Sequence, residues 1–117
     1  MKSLILSVII VLVIGGCSAG TRPPGHTVAS ENHFENGMKQ YEKGHIKQAI
    51  DQFEKAIEKN PYNYKAHFYL GLCHKQKGAT EKAHKHFQKA IDLNPDDESW
   101  VIEVKAEMKT TGSKKSK

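Results

Sequence analysis

One pattern recurs along this chain at a fixed spacing of 34 residues, and it constrains the fold more than any other feature. Residues 30–63 and 64–97 share 12 identities at this single offset, where composition alone gives about two. The identical pairs are His33/His67, Phe34/Phe68, Gly37/Gly71, Lys43/Lys77, Gly44/Gly78, Ala49/Ala83, Phe53/Phe87, Lys55/Lys89, Ala56/Ala90, Ile57/Ile91, Asn60/Asn94 and Pro61/Pro95. Such a period is typical of stacked supersecondary units that cannot bury their apolar faces alone. It favours a binding surface over a catalytic pocket.

Apolar residues within each unit recur at intervals of three and four, which predicts two helices per unit. In the first unit one helix carries Phe34, Met38 and Tyr41, and the next runs through the apolar positions between Ile46 and Ile57. No segment shows the alternation of a strand. The pattern therefore predicts an all-α fold.

Glycine, Asn-Pro dipeptides and capping residues mark the predicted helix boundaries. Gly44 and Gly78 end the first helix of each unit, and proline disfavours helix in the asparagine before it at both Asn-Pro dipeptides. Asn63, Thr80 and Asp97 are predicted N-caps, because their side chains can accept a hydrogen bond from a free backbone N–H.

The second unit resembles the tetratricopeptide repeat, a 34-residue helix–turn–helix. The matching residues are Leu70, Gly71, Gly78, Ala83, Phe87, Ala90 and Pro95. The first unit matches at Gly37, Gly44, Ala49, Phe53, Ala56 and Pro61. It departs at Asn36 and Gln40, where the family prefers leucine and an aromatic residue. The resemblance implies a right-handed α-solenoid of two repeats, residues 30–63 and 64–97.

A third segment, residues 98–109, is predicted to cap this domain, which then spans residues 30–109. Trp100, Val101, Val104 and Met108 form its apolar stripe. Arrays of this kind usually need at least three repeats for stability, so self-association or a bound partner is expected to complete the fold. Residues 110–117 are basic and polar, and they are predicted to form a disordered tail.

The N-terminus has the features of a targeting segment over residues 1–16. Lys2 precedes an apolar run, Leu4 to Ile14, broken only by Ser7. Eleven helical residues rise about 16 Å, whereas a bilayer core needs about 20 residues. The run therefore fits the apolar region of a signal peptide better than a transmembrane helix.

The residues Ile14-Gly15-Gly16-Cys17 resemble a bacterial lipobox. This resemblance implies cleavage before Cys17 and lipidation of Cys17, including palmitate, so that covalent lipid anchors the protein to a membrane. By the same resemblance, Ser18 in place of aspartate favours the outer membrane, at its periplasmic face in a Gram-negative cell. Residues 17–29 then form the lipidated cysteine and a flexible tether. The alternative is an ordinary secretory leader with an incidental cysteine.

No catalytic motif is present in the sequence, so we expect no enzymatic activity, no metal and no cofactor beyond the covalent lipid. His84 and His86 diverge by about 200° on a helix and cannot readily share an ion. His67 and His74 share a face, where packing is the expected role. Cys73 is expected to be a small buried side chain.

The resemblance to tetratricopeptide folds implies a concave groove lined by the first helix of each unit and continued by Ile102 on the capping segment, and this groove is the predicted binding site for a protein or peptide. Its residues are Glu31, Phe34, Met38, Tyr41, Lys65, Phe68, Leu72, Lys75 and Ile102. The stripe is mostly apolar, and exposed apolar patches usually mark contact sites. The alternative is that some of these side chains simply pack between helices.

These features predict a non-enzymatic, lipid-anchored scaffold of the bacterial envelope that binds a peptide or helix in its groove. The alternative is a structural, self-associating lipoprotein, or a permanent subunit of an envelope complex. The net charge of +5 is a mild surplus. Export argues against a nucleic-acid partner.

Overall fold

The computed structural model describes residues 27–113, with side chains through Thr111. This part of the chain is all-α, as predicted, and contains five helices and no strand. The helices are α1 (Val28–Glu42), α2 (Ile46–Lys59), α3 (Tyr64–Gln76), α4 (Thr80–Leu93) and α5 (Glu98–Ser113). Within these residues, no helix combines the length and the apolar character that crossing a membrane requires. The signal peptide (1–16), Cys17 and most of the tether lie outside the described residues, so lipidation of Cys17 stays a prediction.

The helices pack in the order in which they follow one another. The most extensive contacts join α1 to α2 and α3 to α4, and smaller ones join α2 to α3 and α4 to α5. Helix α5 also touches α3. The second helix of each pair, α2 or α4, thus packs against the helix that follows it in the chain.

Both predicted glycine stops are present, and both adopt the left-handed conformation, with φ of 78°. The Gly44 N–H donates to Tyr41 O (3.0 Å) and the His45 N–H donates to Gln40 O (2.9 Å). This is the Schellman arrangement, which uses otherwise free carbonyls at a helix end. The same two bonds recur 34 residues later, at Gly78 and Ala79.

Two of the three predicted N-caps are confirmed. The Ala66 N–H donates to Asn63 Oδ1, and the Trp100 N–H donates to Asp97 Oδ1, both over 3.0 Å. The prediction for Thr80 is wrong, because Thr80 is already the first helical residue of α4. The residue before it, Ala79, has no side chain with which to cap the helix.

Two repeated aromatic residues, Phe53 and Phe87, form the centres of the core, and neither is exposed to solvent. Each ring lies against the glycine of the preceding helix. A Cβ atom added to Gly37 would lie 2.6 Å from the Phe53 ring, and one added to Gly71 would lie 2.5 Å from the Phe87 ring. A larger residue would not fit at either glycine position, because an aromatic ring occupies the space beside it.

Helix α5 covers the end of the core and is longer than predicted. Val104 is fully buried, and Trp100, Val101 and Met108 pack around it against the Phe87 cluster. The helix continues to Ser113 rather than ending at Lys109. The Thr111 hydroxyl donates to Glu107 O over 2.8 Å, and its side chain is 3% exposed. These contacts order residues that looked like the start of a polar tail.

Candidate protein-binding pocket

The middle of the predicted groove is closed by aromatic packing. The ring of Phe34 lies 5.7 Å from that of Phe53 and 5.8 Å from that of Tyr69. Tyr41 meets Tyr69 edge to face at 5.5 Å. Such contacts between rings stabilise a fold by about 0.5–1.5 kcal/mol per pair, beyond the contribution of the buried area. Phe34, Tyr41 and the neighbouring Met38 are therefore half-buried, as the packing alternative expects.

Phe68 belongs to the core rather than to an open surface. It is 5% exposed, and its ring contacts those of Phe87 at 5.8 Å and Trp100 at 4.9 Å. Leu72 is half-buried against the same cluster. Of the residues that α3 contributes to the predicted groove, only Lys65 is exposed.

The far end of the predicted groove is occupied by contacts between α3 and α5. Lys75 Nζ lies 2.6 Å from Glu107 Oε2 and 2.6 Å from Thr110 Oγ1. Ile102, also on α5, is 68% exposed. The structure thus separates Ile102 from the aromatic part of the stripe, and it ties Lys75 to α5.

A pocket of about 490 Å³ opens at the near end, where α1, the α2–α3 turn, α3 and α4 meet. Its lining residues are Glu31, Phe34, Asn60, Tyr62, Asn63, Tyr64, Lys65 and Leu93. The volume falls within the range of about 300–1,000 Å³ that is typical of ligand sites. Three of the nine predicted groove residues line it, namely Glu31, Phe34 and Lys65.

Side-chain hydrogen bonds hold the base of this pocket. Asn63 Nδ2 donates to Ser30 Oγ (3.3 Å), and the buried Ser30 hydroxyl donates to Ala56 O (2.9 Å). Asn60 Oδ1 accepts the Tyr62 N–H over 3.0 Å. These bonds join the start of α1, the end of α2 and the turn. The pocket is therefore formed before any ligand arrives.

Five lining residues were missed by sequence reasoning because they belong to the α2–α3 turn, to the first residue of α3 or to the end of α4. They are Asn60, Tyr62, Asn63, Tyr64 and Leu93. A signal was nevertheless present. At the junction of the two units, residues 62–64 read Tyr-Asn-Tyr, whereas the equivalent residues 96–98 read Asp-Asp-Glu. A difference between repeats at one turn can mark a site specific to that turn.

The groups with strongly shifted pKa values lie outside the pocket. Burial raises the pKa of the Cys73 thiol to about 12, so the thiol is protonated at neutral pH. Its side chain is fully buried, which confirms the packing role expected for it. In the described part of the chain, no group of three or more histidine, cysteine or acidic residues has a geometry suited to a metal ion.

Residues 34–116 match a family model described as regulator of microtubule dynamics protein 1-3 (RMD1-3). No protein in the curated set matches the chain.

This match shows that the assignment to the tetratricopeptide repeat family is wrong, since the matching family is a different one. The residues behind that assignment are small or aromatic side chains that control how helices pack. Packing of this kind specifies a helical arrangement, and more than one family can satisfy it.

The same match overturns the predicted role and location. The interpretation as a lipid-anchored scaffold of the bacterial envelope is wrong, and so is its alternative, a self-associating lipoprotein or subunit of an envelope complex. The location at the periplasmic face of the outer membrane is wrong for the same reason. A targeting segment and a lipobox are short patterns outside the matched residues.

The matched residues make up about seven tenths of the chain and include nearly all of its five described helices. The chain belongs to the family of regulator of microtubule dynamics proteins 1-3.

Proposed function

We propose that this chain is a non-enzymatic protein-binding module that holds a short peptide segment in the pocket beside Tyr62. The pocket itself carries the proposal. It places the half-exposed aromatic ring of Tyr62 next to a carboxylate, Glu31, and an ammonium group, Lys65. An aromatic anchor with polar groups around it is typical of the energetic centre of a protein interface.

The peptide that fits this pocket has one large apolar side chain flanked by polar backbone. Phe34, Leu93 and the tyrosines supply apolar walls, while Glu31 and Lys65 offer an acceptor and a donor at the rim. Because the base is held by hydrogen bonds, binding does not have to order the pocket first. A preformed site lowers the entropic cost of binding.

The family description supports a partner from the microtubule system. Its printed name concerns regulation of microtubule dynamics, and regulation without catalysis requires a binding surface. We therefore take polymerised tubulin as the first partner to test.

The Tyr62→Ala variant is expected to weaken binding to microtubules by about tenfold, as truncation of a central interface residue costs more than 1 kcal/mol. Tyr62 is 52% exposed, so the fold should lose less than about 1 kcal/mol. Co-sedimentation of the full chain with microtubules, over a range of tubulin concentrations, measures the change.

Ile102→Ala is the matched control for this experiment. It removes an exposed apolar side chain on α5, which does not line the pocket, and its binding should equal that of the wild type. Equal losses in both variants would argue for a wider surface. No sedimentation of the wild type would exclude the microtubule as the partner.

We further propose that the two helix pairs are hairpins stacked into a short right-handed solenoid, with α5 covering its end. The extensive α1–α2 and α3–α4 contacts and the smaller α2–α3 contact support this arrangement. In it, the pocket lies at the junction of the first hairpin with the second. The turn between the pairs then becomes part of the binding surface.

A further inference from the structure

Three histidines from two helices meet on one side of the α3–α4 pair. His67 and His74 come from α3, and His86 comes from α4. The Nδ1 atoms of His67 and His86 are 3.3 Å apart, and the ring of His74 stacks on that of His86 with centroids 5.5 Å apart. His67 and His74 are each less than a tenth exposed.

The hydrogen bonds of the cluster require a neutral His67 ring and define the tautomers of both bonded rings. His67 Nε2 lies 3.2 Å from Pro61 O, which can only accept, so the proton of neutral His67 is on Nε2. Its Nδ1 atom then accepts from the Nδ1–H group of His86. When His86 takes one proton on Nε2, its Nδ1–H group still donates to Nδ1 of His67. When His67 then takes a second proton on Nδ1, two N–H donors face each other.

The surroundings oppose even the first proton. Burial is the largest cause that lowers the pKa of all three histidines, and together with the charges of His67 and His74 it brings that of His86 to about 4. The hydrogen bond to the Pro61 carbonyl acts in the opposite direction on the pKa of His67. The charged groups that act on the cluster are Lys89 on His67, and Lys77 and Lys82 on His74. In the described residues, neither α2 nor α5 contributes a charged group that shifts the pKa of these rings.

We propose that His67, His74 and His86 form a pH-sensitive lock, which holds α3 against α4 when the rings are neutral and releases it when protons bind. Because α3 begins with two of the pocket residues, Tyr64 and Lys65, the lock sets the pH range over which the pocket is intact. The lock itself does not depend on which partner the pocket binds.

The direction of the pH dependence follows from the lowered pKa values. A histidine with a lowered pKa in the folded state binds more protons when unfolded, so its contribution to stability rises with pH. This contribution to stability is fully present above the pKa of histidine in the unfolded chain, about 6.5. For His86, the contribution is lost as the pH falls toward the folded-state pKa of about 4.

The first repeat contains a contact equivalent to that between His67 and His86, but with a glutamine in place of the second histidine. His33 Nδ1 lies 3.0 Å from Gln52 Oε1, and these residues precede His67 and His86 by the repeat length of 34. A glutamine amide can donate or accept and carries no charge. His86→Gln therefore brings the chemistry of the first pair into the second.

Urea unfolding of the full chain at about pH 7 and about pH 5 tests the lock. We expect the unfolding equilibrium constant of the wild type to rise about tenfold more than that of His86→Gln over this interval, a value reduced for the partial exposure of His86. His45→Gln, which removes an exposed histidine outside the cluster, should behave as the wild type does. Equal pH dependence in wild type and His86→Gln would overturn the proposal.

A second measurement covers the case in which His86→Gln fails to fold. An NMR titration of the wild-type imidazole protons should place the midpoint of His86 at least one pH unit below the ordinary histidine value of about 6.5. A His86 midpoint near that value would show that the cluster does not resist protonation, and the lock would be rejected.

Discussion

Replacing Phe87 with alanine is expected to reduce the free energy of unfolding by about 3–5 kcal/mol, enough to unfold a large fraction of the molecules. The Phe87 ring has no exposed surface and contacts Phe68, with a ring distance of 5.8 Å. It lies in the cluster that α5 covers through Val104. Truncation therefore leaves a cavity at the point where α3, α4 and α5 meet. Urea unfolding followed by far-ultraviolet circular dichroism measures the loss.

Phe53→Ala and Tyr62→Ala are the comparison variants for Phe87→Ala. Phe53 is the equivalent residue one repeat earlier and is equally buried, so its loss should be of similar size. Tyr62 is an aromatic residue with about half of its surface exposed, and its loss should stay below about 1 kcal/mol. A change at Phe87 as small as that at Tyr62 would show that the ring does not anchor the core.

Most of the features that the sequence predicted correctly are those that repeat. The glycine stops, the Asn-Pro ends and the buried phenylalanines occur twice at the same offset, and each depends on local backbone geometry or on packing within one helix pair. The end of α5 does not repeat. It depends on contacts of Thr110 and Thr111 with Lys75 and Glu107, and no periodicity reveals contacts of that kind.

The candidate pocket was harder to predict for the opposite reason. Tyr62 and Asn63 lie in the α2–α3 turn and Tyr64 begins α3. The two units differ at all three positions, so a search for shared positions passes over them. The histidine cluster escaped notice because His86 joins His67 and His74 from another helix. Spacing along one helix gives the direction of a side chain but not the register between two helices.

The repeat period is informative about packing and much less so about ancestry. Glycine beside phenylalanine at Gly37/Phe53 and Gly71/Phe87 brings two helices close together, and any family that pairs helices this closely meets the same requirement. The family match over residues 34–116 draws on the whole segment. It therefore outweighs a resemblance that rests on the packing positions alone.

The second large effect is expected for Gly71→Ala, which should destabilise the fold by about 2 kcal/mol. A Cβ atom at this position would lie 2.5 Å from Phe87 Cε1, well inside contact distance, so the ring or the helix must move. Overpacking of this kind costs about 1–3 kcal/mol. It outweighs the gain of up to about 1 kcal/mol that alanine brings to a helix interior. Urea unfolding of the single variant gives the net effect.

A double-mutant cycle shows whether the cost arises at the Phe87 ring. Phe87→Leu removes the Cε1 and Cζ atoms that the new methyl group meets and leaves a side chain that can rotate away, so Gly71→Ala should cost at least ~1 kcal/mol less in that background than in the wild type. Gly78→Ala is the control. Its φ of 78° disfavours alanine, but a Cβ atom there would have no neighbour within 4 Å, so its cost should be the same in both backgrounds. Additive effects of Gly71→Ala and Phe87→Leu would mean that the cost of the new methyl group does not arise at the Phe87 ring.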